Sequence, residues 1–151
     1  MALRLIDSTN EHFIKIGFTV KQRDAVLEDL VNLIVSAQPF ESHDALLKRF
    51  KEREEVMSTA IGSSIAIPHI ISDKIPDPIL AIGIDKDGIQ YDASAGPVKL
   101  VFMFIGPAQK REPYLELLVR VSKLLKTEKN RELLINADSP SRVLAILQEL
   151  D

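Results

Sequence analysis

The sequence predicts an α/β fold in which a mixed β-sheet is flanked by helices on both faces. Three observations carry this. Short apolar, β-branched runs alternate with stretches whose apolar residues recur at helical spacing. The run from Val98 to Ile105 is apolar almost throughout, as expected of a central strand covered on both faces. The 151 residues are enough for one domain with its own core, and no repeat, low-complexity tract or Gly/Ser/Pro-rich linker divides residues 1–151.

The elements follow in order. Ile14 and Ile16 mark a short first strand, and Thr19 with Gln22 is placed as a capping box opening a helix that runs to Ala37. Its inward stripe is Val26, Leu27, Leu30, Val31, Ile34 and Val35. Ser42 is the N-cap of a second helix with Leu46, Leu47 and Phe50 inward, ending in the charged run of residues 51–55, which reads as a solvated face. Ile65, Ala66 and Ile67 form a short buried strand that Pro68 stops. Residues 79–84 form another strand. The turn signal Asp85-Lys86-Asp87-Gly88 then predicts a hairpin to residues 89–91. After the central strand, Pro113 sits in the first turn of a helix with the stripe Leu117, Leu118, Val121, Leu124 and Leu125. A shorter helix starts near Glu128, and Ser139-Pro140 opens the last one, with Val143, Leu144, Leu147 and Leu150 inward.

Composition excludes several function classes. The net charge of −3 argues against nucleic-acid binding, for which Lys110 and Arg111 make no basic stripe. With no cysteine there is no disulfide framework, thiolate zinc site or thiol nucleophile, which suits a cytoplasmic protein. No apolar run approaches the roughly 18 residues of a membrane span, so any service to a transporter is peripheral to the membrane. No histidine pair has metal-ligand spacing, and no Gly-rich phosphate loop is present, so neither metal nor cofactor is expected. Asp85, Asp87 and Asp92 lack the ligand array of a calcium loop.

The most informative stretch is residues 58–69, a hydroxyl-rich loop feeding the strand that Pro68 ends, with His69 projecting beyond it. An imidazole is available near neutrality as nucleophile or base. A hydrogen-bonded structural histidine is the competing reading. Ser58, Thr59 and Ser63 lie upstream, where their hydroxyls either bond an anion beside the ring or shape the loop. His12 and His43 read as surface or rim residues.

The stretch REEVMSTAIGSSIAIPH, residues 53–69, resembles the active-site signature of mannitol/fructose-type enzyme IIA domains of the bacterial phosphoenolpyruvate:sugar phosphotransferase system. The nitrogen-regulatory IIA proteins share that signature. The resemblance extends through PVKLVFMFIGPAQKREPYLELLVRVSKLL and covers nearly the whole chain. It implies a mixed sheet flanked by helices. It also implies a transient phosphohistidine at His69, with Arg53 at the motif's arginine position as a phosphate clamp. The implied partners are a histidine phosphocarrier protein as donor and a IIB component of a sugar transporter as acceptor. The alternatives are a nitrogen-regulatory protein whose phosphorylation state controls protein partners, and a degenerate binding module that is never phosphorylated.

Three departures from the pattern stand out. Tyr114 occupies the place of the family's second histidine, where it either donates a neutral hydrogen bond to the phosphoryl group or extends the buried stripe of Leu117 and Leu118. Ile70 and Ile71 replace small, often basic residues and are expected to add apolar surface. Ser64 replaces the motif's second glycine.

Overall fold

The computed structural model describes residues 3–151. Two 3-10 turns, Leu5–Ser8 and Glu11–Phe13, lead into β1 (Ile14–Ile16), α1 (Arg23–Ala37) and α2 (His43–Val56). There follow β2 (Ala60–Gly62), β3 (Ile65–Ala66), β4 (His69–Ser72), β5 (Ile79–Ile89) and β6 (Val98–Pro107). Helices α3 (Arg111–Lys126), α4 (Glu128–Ile135) and α5 (Pro140–Leu150) complete the chain. The strands make one mixed sheet in the order β1-β5-β6-β3-β2, with β4 also on β6. Strand β6 lies antiparallel to β5 and parallel to β3 and β4.

As its unbroken apolar run predicts, β6 is buried on both faces. Leu100, Phe102 and Phe104 pack among residues of α3, α4 and α5, while Val101, Met103 and Ile105 pack against the stripes of α1 and α2. Each such side chain contributes about 1.5–3 kcal/mol on leaving water. This alternation gives every strand residue a defined side, which is what aims the site.

Strands β3 and β4 are two parts of one line. Ile65 lies opposite Leu100 and His69 opposite Phe104, so the register is unchanged across Pro68. The ladder therefore does not end at the proline. Pro68 still offers its carbonyl to the Phe104 amide at 2.9 Å, and its missing N–H removes only one rung.

Other expectations are corrected. Helix α1 opens at Arg23 with Gln22 as an N-cap that makes no side-chain capping bond, so the Thr19 box does not form. The Arg23 amide instead donates to the Gln90 carbonyl at 3.0 Å. Residues 85–88 make no hairpin: β5 runs on to Ile89, which pairs with Val98, through an irregularity between Ile84 and Ile89. One oxygen of the buried Asp85 carboxylate accepts from the Phe18 amide at 3.1 Å and the Lys21 ammonium at 2.7 Å; the other keeps a local bond from the Asp87 amide at 2.9 Å while the strand runs on. Ile70 is buried against α1 and α2 and Ile71 is half-buried, so neither adds an apolar surface. Val35, Leu118, Leu144 and Leu150 are likewise half-buried, whereas Ile146 joins the core. The caps at Ser42 and Ser139 form as expected.

Candidate functional site

His69 opens β4, and its position opposite Phe104 turns its side chain to the α3 side of the sheet, where Ile71 also packs. The half-buried ring is fixed by a bond of 2.7 Å between Nδ1 and the Ile67 carbonyl. A carbonyl oxygen only accepts, so Nδ1 carries the proton and Nε2 carries the free lone pair. That acceptor lies two residues upstream of the ring it holds, across Pro68.

Arg53 lies in the last turn of α2, where its Nη1 donates to the Met57 carbonyl at 2.8 Å. A guanidinium has five N–H donors, so most of the fork remains available after this bond. The next residue, Glu54, is only 4% exposed and is not part of the solvated face assigned to residues 51–55. Its carboxylate accepts from the Thr59 amide at 2.9 Å, from the Thr59 hydroxyl, and from the Tyr91 hydroxyl at 2.8 Å. Burial first, then the nearby Glu54 charge, pushes the Tyr91 phenol well above its ordinary range. Thr59 is thereby buried with its hydroxyl committed. Ser58 is committed as well: its Oγ donates to Asp92 and accepts from the Ala60 amide. That hydroxyl and the Ser94 and Ala95 amides hold the Asp92 carboxyl down to about 2.

Tyr114 reaches the same region from the first turn of α3. Its ring covers Gly106, where a Cβ would meet ring atoms at 2.5 Å, and Gly106 pairs with Ile71 on the His69 face. The side chain is 2% exposed and its hydroxyl has no hydrogen-bond partner. Burial pushes the phenol up to about 12, against the opposing pull of the Arg53 guanidinium. The charge of Arg53 is thus felt at the orphaned hydroxyl.

Ser63 is not brought to this centre. Ser63 and Ser64 form the tip of the β2–β3 hairpin, with φ of 54° and 66°. The Ser64 carbonyl accepts from the Leu100 amide, whereas His69 lies opposite Phe104. Four residues of extended chain, about 13 Å, separate these levels. Ser64 tolerates its Cβ by occupying the left-handed region that a glycine would adopt without strain.

Two contributors escaped the sequence reading, Glu54 and the Ile67 carbonyl. A signal for Glu54 exists: Leu47, Phe50 and Glu54 have i, i+3, i+7 spacing and share the buried stripe of α2. The Ile67 carbonyl, a backbone group, leaves no signature in residue types.

Among the described residues no cluster of His, Asp or Glu could hold a metal ion, and no helix is long and apolar enough to cross a membrane. Residues 7–150 match the family model described as "Phosphoenolpyruvate-dependent sugar phosphotransferase system, EIIA 2". The PTS system fructose-specific EIIABC component of Bacillus subtilis strain 168 is 31% identical over 150 residues, 99% of this chain and 24% of that protein. The chain therefore spans about a quarter of that relative's length. The PTS system fructose-specific EIIA component of Haloferax volcanii is 35% identical over 129 residues, 85% of this chain and 84% of that protein. The crystal structure of nitrogen regulatory protein IIA-Ntr from Neisseria meningitidis superposes with a TM-score of 0.85 at 23% identity. It covers 95% of this chain and 98% of that one, and the likeness shows a shared fold.

Proposed function

Because this chain belongs to the EIIA 2 family of the phosphoenolpyruvate-dependent sugar phosphotransferase system, we propose that it is a phosphocarrier holding its phosphoryl group on His69 Nε2. Phosphoryl transfer is the family's chemistry; the acceptor atom and its helpers are the proposal. The carrying observation is the bond between His69 Nδ1 and the Ile67 carbonyl, which leaves Nε2 as the nucleophile.

The Nε2 lone pair attacks the phosphorus of a donor phosphohistidine. The new N–P bond forms as the donor's N–P bond breaks, and the donor nitrogen keeps that electron pair. Nδ1 retains its proton throughout, so the phosphorylated ring is an imidazolium whose N–H still points at Ile67. That hydrogen bond becomes charge-assisted in the product and stabilises it more than the starting ring. Positioning and charge stabilisation are what such a transfer asks of a protein. Arg53 supplies a permanent cation and free N–H donors, and Tyr114 supplies a neutral O–H. In this reading Ser58 and Thr59 act as loop-shaping groups, since both hydroxyls are already bonded.

The donor is a histidine phosphocarrier protein and the acceptor a IIB component, with residues 1–151 working as one IIA domain on the cytoplasmic side. The fructose-specific names of the two relatives support transport over the regulatory alternative. Incubation with phosphoenolpyruvate, enzyme I and the phosphocarrier protein should add one acid-labile phosphoryl group that His69→Ala abolishes. A label surviving that substitution overturns the proposal.

A further inference from the structure

We propose that Glu54 is a positioning residue for the reactive imidazole, acting through Thr59 and Ile67; this rests on the reading that His69 carries the phosphoryl group. Three hydrogen bonds join the buried carboxylate to the ring in series. Glu54 Oε1 accepts from the Thr59 amide at 2.9 Å. The Thr59 carbonyl accepts from the Ile67 amide at 3.0 Å. The Ile67 carbonyl holds His69 Nδ1 at 2.7 Å.

The neighbours of Ile67 are held on β6, Ala66 opposite Val101 and Pro68 through its carbonyl, but the Ile67 amide is not. Ile67 lies between the named strands β3 and β4, and its amide points away from β6 to Thr59. Thr59 lies outside β2 and is fixed by Glu54 through its amide and its hydroxyl. The peptide unit that selects the tautomer of His69 is thus tied on one side to β6 and on the other to the loop, and the loop to Glu54.

The chemistry of Glu54 also separates it from a mere packing residue. Its three donors are the Thr59 amide and two hydroxyls, all neutral groups. A carboxylate in such a place loses much of its hydration, which its three hydrogen bonds offset. What the carboxylate adds is acceptance at both oxygens, with no competing donor of its own. Glutamine keeps the shape but replaces one acceptor by an NH₂, so either the Thr59 amide loses its acceptor or the Thr59 and Tyr91 hydroxyls must give up donating to residue 54. The Thr59 anchor then loosens without a change in volume.

The test reads the ring directly, in the unphosphorylated full chain, by ¹⁵N NMR of the His69 imidazole. Wild type should show a predominantly Nδ1–H tautomer. In Glu54→Gln that predominance should fall. Phosphorylation kcat should drop about two- to tenfold, as loss of one neutral hydrogen bond implies, with KM for the phosphocarrier donor unchanged. Thr59→Val, which keeps the amide and deletes the hydroxyl half of the anchor, should shift the tautomer in the same direction, and Thr59→Ser should restore it. A folded Glu54→Gln protein with wild-type ¹⁵N shifts and kcat overturns the proposal. If Glu54→Gln does not fold, wild-type shifts in Thr59→Val overturn it equally. Because the tautomer is read without any phosphodonor, a failure here is distinct from a finding that His69 accepts no phosphoryl group.

Discussion

Replacing Tyr114 by phenylalanine should make the protein more stable and a poorer phosphoryl acceptor at once. The hydroxyl is buried without a hydrogen-bond partner, on a ring packed over Gly106. An unsatisfied buried polar group costs about 1–3 kcal/mol, so deleting it while keeping the ring should recover about 1 kcal/mol. For a chain of this length that is a rise in Tm of about 2–4 °C. In the proposed function the same hydroxyl, which lies within the field of Arg53, donates to the phosphoryl group on His69. Its loss should remove one hydrogen bond from the transfer, about 0.5–1.5 kcal/mol, and slow phosphorylation about two- to tenfold. Calorimetry reads the first effect, and the initial rate of label incorporation from the phosphocarrier protein reads the second. A lower Tm together with an unchanged rate would refute the reasoning, showing the hydroxyl to be satisfied in the free protein and idle in transfer.

Three further outcomes are expected. Arg53→Ala should slow phosphorylation by roughly ten- to a hundredfold at unchanged far-UV circular dichroism, since charge-assisted bonds contribute about 1.5–3 kcal/mol. Ser64→Gly should raise stability by about 0.5–1 kcal/mol in urea unfolding: it removes a Cβ from a residue at φ 66°, offset by the greater freedom of glycine in the unfolded chain. The Asp92 carboxyl sits at about 2, below the ordinary value of about 3.9, because the Ser58 hydroxyl and then the Ser94 and Ala95 amides bond its charged form. Its contribution to stability is therefore full above about pH 4 and lost as the pH falls through 2; Asp92→Asn should lose less stability than wild type across that window.

The centre of the fold was readable because its residues carry their own instructions. The unbroken run of β6 demanded two covered faces, and the stripe of α1 demanded one. His69 stood out because a proline constrains the backbone just before it and the surrounding motif is long. The features that were not readable depend on partners distant in the chain. Asp85 does accept from the Asp87 amide as a turn residue would, yet its second oxygen is claimed by Phe18 and Lys21, more than sixty residues away. Thr19 had the right spacing for a cap, but the Gln90 carbonyl satisfies the Arg23 amide instead. Glu54 was hidden inside a run of charges whose other members are exposed or half-buried, although its helical phase with Phe50 placed it inward. Ser63 was near His69 in sequence and is far from it along the sheet, because an extended chain separates residues that a loop would have gathered.

The central claim is that Nε2 of His69, freed by the hold of the Ile67 carbonyl on Nδ1, carries the phosphoryl group. The measurement that tests it most directly is ³¹P–¹⁵N correlation NMR on the ¹⁵N-histidine-labelled protein after phosphorylation by enzyme I and the phosphocarrier protein. The account predicts a single phosphorus signal coupled to Nε2 of His69, with Nδ1 still protonated. A phosphorus signal coupled to Nδ1, or to a nitrogen of His12 or His43, would contradict it.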